Sequence, residues 1–391
     1  MLEVEELTTC LVGFNTVSQN TNHRMADFLD SILSDLGFSV QLYPKNCCEK
    51  TPNGNDKSVT KYGIVARIGP RDVEPLMLSA HMDTVPVGEE DKWLTHPFTL
   101  TQKGGRLHGL GSSDMKGPLA ALICAVEPLA KRAVSLKREI VFCLSFDEEV
   151  GLLGARYLLK AADLKAKYIL VAEPTLLVPV RLHKGYMQLR AVCHGQSAHG
   201  SNPDAGVNAI EIAAKVIAVL HDFAEELKIS RQPLIRPSYA TLNIGAIKGG
   251  EKLNVVPDIC RIEFEIRPIP GQSTQTIKED LAGRMEQIGW NDDNSPKVTL
   301  ELVNRTKAPT EPVYTPSDSL FVKTVEAVSG KPSTGVAYCT DASILQGTGA
   351  ECLIIGPGDI AVAHQPNEFI LQSQLLMAVD QFREIVKAMC F

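Results

Sequence analysis

Residues 76–88 read LMLSAHMDTVPVG, and the most informative feature of the chain is how this stretch ends. Leu76, Met77 and Leu78 continue into Ser79 and Ala80 as the unbroken apolar run of a strand buried on both faces, the pattern of a parallel sheet. The run stops at His81, with Asp83 two residues on and a turn at Pro86. One such ending carries little by itself, but three more apolar runs finish in the same way. Residues 139–146 (EIVFCLSF) lead into Asp147, Glu148 and Glu149, and residues 167–172 (KYILVA) lead into Glu173 and Pro174. Residues 352–355 (CLII) are followed by GPG and then by His364 in AVAHQPNE. In open sheets of parallel strands, sites form outside the carboxyl ends. Four such ends supply two histidines and several carboxylates, a donor set that suits a hard or borderline divalent metal, zinc above all.

Asp114 joins this set from GLGSSDMKGP. The glycines suggest a nucleotide loop, but the dinucleotide fingerprint needs a third glycine where Asp114 stands, and no G-x-x-x-x-G-K occurs in this stretch. A glycine-rich turn presenting one aspartate at the start of a helix suits metal binding better. Each residue alone also has an ordinary structural reading: a histidine ending a strand, a solvated acidic triplet at 147–149, a glutamate before proline, His199 on a surface loop. Together those readings would require four separate strands to place acids and histidines at their ends without a common purpose.

At 391 residues the chain is long for one core, so two domains are expected. Apolar residues make up 44% and charged residues 22%, ordinary for a globular protein. A net charge of −7 argues against a nucleic-acid partner, which calls for a basic patch. The apolar runs fall short of the roughly 20 residues a membrane span needs. The acidic start, MLEVEELTTC, lacks the basic opening of a signal peptide. Ten cysteines form no C-x-x-C pair. Cys47 and Cys48 lie in a polar stretch that reads as a loop, while Cys124, Cys143, Cys193 and Cys352 sit in apolar segments as small hydrophobes. Reduced thiols and a cytoplasmic location are expected, which makes the sequon at Asn304 accidental.

Helical and strand patterns alternate along the first part. Residues 22–36 carry an apolar face at helical spacing between Asn22, a candidate N-cap, and Gly37, a candidate C-cap. Strand candidates at 62–68, 75–80, 139–146 and 167–172 are interleaved with helical patterns at 117–131 and 151–162. This predicts an α/β domain with a mostly parallel sheet. From residue 183 the order becomes strand, helix (205–227), two strands (239–248, 259–267) and helix (274–288), which reads as a smaller α+β domain. Alternation then resumes. The expected organisation is therefore 1–182 and 304–391 as the site-bearing domain, with 183–303 inserted.

Taken together, the stretches AHMDTVP (80–86), GLGSSDMKG (109–117), FDEE (146–149), AEPT (172–175), HKG (183–185), GQSAHGS (195–201), IRPIPG (266–271) and AHQPNE (363–368) resemble the dinuclear zinc amidohydrolases and peptidases. That family includes acetylornithine deacetylases, succinyl-diaminopimelate desuccinylases and aminoacylases. The resemblance covers essentially the whole chain. HPFTL (96–100), GVNAIE (206–211) and YCTDAS (338–343) are similar to its acetylornithine-deacetylating members. It implies a metallopeptidase-like catalytic domain with an inserted lid or dimerisation domain, and two Zn2+ per chain, with Co2+ able to substitute. His81, Asp114 and Glu173 would hold one ion, and Asp114, Glu149 and His364 the other. Glu148 would be the general base. Asp83 would hydrogen-bond the second ring nitrogen of His81 and fix its tautomer. His199 would enter the site of a partner subunit in a homodimer, and Asn254 and Arg267 would face the substrate. For Arg267 a structural salt bridge is the competing reading. The implied reaction is hydrolysis of N2-acetyl-L-ornithine to acetate and L-ornithine. The alternatives are another acyl amino acid, a succinyl-diaminopimelate or dipeptide substrate, or a non-catalytic binding protein. The last would be signalled by a lost ligand or base, and all five ligand positions and the base are filled.

Overall fold

In a computed structural model of the chain, which describes residues 2–50, 56–289, 297–304 and 308–391, strand Leu76–His81 lies inside a mostly parallel sheet. It pairs in parallel with Ile140–Ser145 on one side and Tyr168–Val171 on the other. Glu351–Ile354 continues the parallel set beyond Tyr168–Val171. All residues of Leu76–His81, Ile140–Ser145 and Tyr168–Val171 are buried. Strands covered on both faces read as continuous apolar runs rather than alternating ones. The covering helices include Lys116–Ala130 and Gln372–Cys390, which pack against each other. Twelve of the fifteen residues of Lys116–Ala130 are buried, as a helix pressed between sheet and neighbour requires.

The far edge departs from the sequence reading. Ser39–Lys50 and Asp56–Ile68 form a long antiparallel hairpin, and the second strand joins the sheet beside Ile140–Ser145. Cys47 and Cys48 therefore lie in a strand, opposite Val59 and Ser58, and not in a loop. A ribbon extending past the sheet needs few apolar residues, so its end is polar and imitates a loop. Asn22 stands at the N-cap position of helix His23–Asp35 but makes no capping bond. Its amide instead pairs with both main-chain groups of Tyr62, at 2.8 and 2.7 Å, and so pins the helix to the hairpin.

The chain divides into two compact units. The first, Met1–Arg181 with Tyr314–Thr334 and Thr340–Phe391, contains the parallel sheet. The second comprises Leu182–Val313 and Gly335–Cys339. Its antiparallel sheet runs in the order Thr241–Gly249, Ile259–Arg267, Met187–His194, Val298–Leu302. Burial alternates along Ile259–Arg267, the mark of a sheet with one face on the core. Helices Ala209–Leu227 and Thr274–Glu286 contribute Ala213, Val216, Leu220 and Leu281 to that core. Asn304 is buried, and its side-chain oxygen accepts from the Gln188 N–H at 2.8 Å. All ten cysteines are thiols. Among the described residues, no helix is long and apolar enough to cross a membrane.

Phe142 is fully buried in the first core and meets the Phe38 ring edge-on at 5.4 Å. Phe142→Ala is expected to destabilise that unit by about 3–5 kcal/mol, read as a lower denaturant midpoint in equilibrium unfolding.

Candidate metal centre

His81 is the last residue of its strand and is 1% exposed. Its Nε2 lies 2.9 Å from Asp114 Oδ1 and 3.9 Å from Glu173 Oε1. Its Nδ1 lies 3.0 Å from the main-chain carbonyl of Asp83, whereas the Asp83 carboxylate is 3.6 Å away. The tautomer is thus fixed by the carbonyl, which requires Nδ1–H and leaves Nε2 facing the carboxylates. The side chain of Asp83 does other work. It accepts the main-chain N–H of Glu148 at 3.1 Å and of Glu149 at 3.3 Å, and the Ser18 hydroxyl at 2.8 Å.

Asp114 stands in the turn before helix Lys116–Ala130. This turn is built around a second buried carboxylate that sequence reasoning missed. Glu368 accepts the N–H groups of Gly111, Ser113 and Asp114 at 3.0, 2.8 and 3.0 Å. Gly117 permits the tight entrance into the helix, since a Cβ there would come within 2.3 Å of the Ser112 carbonyl oxygen. The second oxygen of Asp114 faces His364 Nε2 at 3.3 Å, and the same nitrogen is 2.9 Å from Glu149 Oε1. One aspartate therefore presents one oxygen to each of two histidines.

Glu148 and Glu149 can serve one site because the strand has ended: Ile140–Ser145 stops before them and Asp147 adopts φ +53°. On a continuing strand the two side chains would face opposite ways.

The electrostatics match this crowding. Burial, reinforced by neighbouring carboxylates, raises Glu148 and Glu173 well above the ordinary glutamate range. Burial opposes a charged His81, but its hydrogen bond to Asp114 and the nearby carboxylates outweigh it and hold the imidazole well above its usual value. Burial would likewise raise Asp114, yet the bonds from His364 and His81 prevail and lower it. His364 is pushed up to about 10 by Asp114 and Glu149. A cluster that draws protons onto both of its imidazoles carries surplus negative charge, which divalent cations would neutralise. The donor atoms fit: those of His81, Asp114 and Glu149 lie within 4.8 Å of one another, and His364 and Glu173 adjoin them.

A model of peptidase family M20/M25/M40 matches residues 77–388. The chain belongs to that family. As an M20/M25/M40 peptidase-family member it is a hydrolase. Acetylornithine deacetylase of Proteus mirabilis (strain HI4320) is 31% identical over 386 residues, covering 98% of this chain and 94% of the relative. The enzyme of the same name from Edwardsiella ictaluri (strain 93-146) is 32% identical over 394 residues, covering 98% and 97%. Among solved structures, a Staphylococcus aureus tripeptidase aligns with a TM-score of 0.72 and 23% identity over 98% of this chain and 97% of that one. A Bacillus subtilis dinuclear metal-binding peptidase of the M20 family aligns with a TM-score of 0.68 and 16% identity over 99% and 97%.

Three expected site residues belong to the second unit. His199 is exposed, with Nδ1 2.7 Å from the Ser201 hydroxyl. Asn254 lies beside it, its carbonyl accepting the Gly200 N–H at 2.8 Å. Arg267 pairs with Glu265 at 3.0 Å and stacks on the Tyr186 ring at 4.7 Å, so the salt bridge weighed for it is present.

The raised His364 pKa fixes a sign. A histidine whose folded pKa exceeds its unfolded value of about 6.5 stabilises the fold below that value, and this stabilisation is lost as pH rises through about 10. The metal-free protein is therefore expected to exceed its His364→Gln variant in stability most at neutral pH and below. The gap should close in alkali, as measured by thermal unfolding in chelator across the pH range.

Proposed function

We propose that this chain is a two-metal amidohydrolase that converts N2-acetyl-L-ornithine into acetate and L-ornithine, a step in making arginine. The observation that carries the two-metal reading is the single carboxylate of Asp114 facing His81 and His364 with separate oxygens. His81, Asp114 and Glu173 would hold one ion and Asp114, Glu149 and His364 the other. Zinc suits these nitrogen and oxygen donors, with cobalt as a substitute. Two such ions would supply Lewis acidity at the amide carbonyl and at the attacking water.

The chain's own groups do the rest. Glu148, made more basic by burial and neighbouring carboxylates, takes the proton of the attacking water and returns it to the nitrogen as the amide C–N bond breaks. The second proton of that water, carried by the new carboxyl group, passes through the same carboxylate to the amine, so the products are acetate and an ammonium. The Asp83 carboxylate sets the main chain of Glu148 and Glu149. We read the protein as a homodimer through its second unit, with His199 of the partner subunit donating to the developing oxyanion. Asn254 and Arg267 would seat the α-carboxylate of the substrate. Reduced thiols accord with a cytoplasmic enzyme. The substrate is supported by the acetylornithine deacetylases that are 31–32% identical to this chain over nearly the full length.

Purified protein loaded with zinc is expected to hydrolyse N-acetyl-ornithine with a higher kcat/KM than N-succinyl-diaminopimelate or simple dipeptides, because a succinyl carboxylate needs a buried partner that an acetyl group does not. A reversed ranking in side-by-side assays would reassign the substrate. Glu148→Gln should keep about two metals per chain by elemental analysis while turnover falls about 10³-fold or more. Loss of metal with turnover retained would swap its role with that of Glu149.

A further inference from the structure

Glu148 and Glu149 sit on a turn, and turns are mobile unless tied. The ties form a closed ring of buried groups. Lys61, from strand Asp56–Ile68, is a cation whose side chain is 2% exposed. Its ammonium donates to the carboxylate of Asp147 and to the main-chain carbonyl of Ser18. The Ser18 hydroxyl donates to Asp83 Oδ2 at 2.8 Å. Asp83 closes the ring by accepting the N–H groups of Glu148 and Glu149. The loop carrying Ser18 is itself fastened to the strand end: the Thr16 hydroxyl donates to the Met82 carbonyl at 2.6 Å, the Ser18 N–H to the Thr84 carbonyl at 3.1 Å, and the Thr84 N–H to the Thr16 carbonyl at 3.2 Å.

We propose that Lys61 and Ser18 are positioning residues for the general base: they clamp the 147–149 turn from both sides and so set where the Glu148 carboxylate stands relative to the attacked carbonyl. This rests on the two-metal hydrolase reading with Glu148 as base. Neither residue touches substrate or metal in that reading. A buried lysine is costly unless it is paired, and here it is spent on the residue immediately before the base. The backbone of Asp147 is in the left-handed region at φ +53°, a conformation that persists where surrounding bonds hold it. Without the ammonium and the hydroxyl, the turn keeps its sequence but loses two of its anchors, and a displacement of about 1 Å at a reacting group can cost about 10²-fold in rate.

The test uses the full-length zinc-loaded enzyme, with Lys61→Met, Ser18→Ala, the double variant Lys61→Met/Asp147→Asn and Glu148→Gln assayed together. Lys61→Met removes the charge at nearly constant volume. The double variant also removes the carboxylate it would strand, and asparagine tolerates the left-handed backbone. We expect kcat to fall about 10²-fold in Lys61→Met and about tenfold in Ser18→Ala, with KM within about twofold of wild type and two metals retained, all read well below the melting temperature. The double variant should recover thermal stability and not kcat, which separates positioning from mere folding. If Lys61→Met does not fold, Ser18→Ala and the double variant decide. Wild-type kcat in folded Ser18→Ala and in the folded double variant, alongside an inactive Glu148→Gln, would overturn the clamp and leave the hydrolase reading standing. An active Glu148→Gln would instead remove the base, and the clamp with it.

Discussion

The carboxylate of Asp114, caught between two imidazoles, is the contact on which the rest of the first unit turns. Its oxygens stand 2.9 Å from His81 and 3.3 Å from His364. Those histidines come from opposite ends of the sequence, so the turn carrying Asp114 must be placed to within a fraction of an ångström. Three successive layers do this. The buried parallel strands fix His81, Glu148, Glu149 and Glu173 together beyond their carboxyl ends. Glu368 takes three amides of the Asp114 turn. Gly117 lets the following helix begin against that turn. Burying so many acids together is unfavourable without compensating charge. Burial raises Glu368 to about 7 and Asp341, which accepts the Ser145 hydroxyl, to about 6. The acids are therefore graded. Asp114 stays ionised between its histidines, while those set further back tend toward the neutral form.

Much of this was legible in the sequence, for a definite reason. A strand buried on both faces writes itself as an apolar run, so its end is easy to find and the residues after it stand out. His81, Glu148, Glu149 and Glu173 were visible in that way. Residues that act through main-chain groups far away in sequence leave no such trace. Glu368, Lys61 and Ser18 belong to no local period, and their partners lie 43 to 257 residues distant. The family resemblance implied that the Asp83 carboxylate serves His81, but the short span from 81 to 83 brings the Asp83 carbonyl to the imidazole first, at 3.0 Å against 3.6 Å, and leaves the carboxylate to the neighbouring turn. The polar end of the long hairpin looked like a loop because its strands carry few apolar residues there, with Cys47 and Val59 the buried pair between them. Asn22 looked like a cap because sequence cannot show that Tyr62 competes for its amide.

The order in which these parts occur along the chain has a consequence for synthesis. His81, Asp114, Glu149 and Glu173 all precede residue 182, where the second unit begins, while His364 and Glu368 follow its last segment. Strand Tyr168–Val171 likewise waits for Glu351–Ile354 to become its parallel neighbour. A ribosome must therefore translate an entire additional unit while the sheet of the first has an open edge and the Asp114 turn has no carboxylate to hold it. Loop-closure entropy grows only slowly with length, so the delay costs little at equilibrium. Its cost is in time: an unpaired apolar strand on a nascent chain is a template for mispairing. The late glutamate thus acts as a seal, and a chain released before residue 368 carries most of the donor atoms with nothing fastening the turn between them.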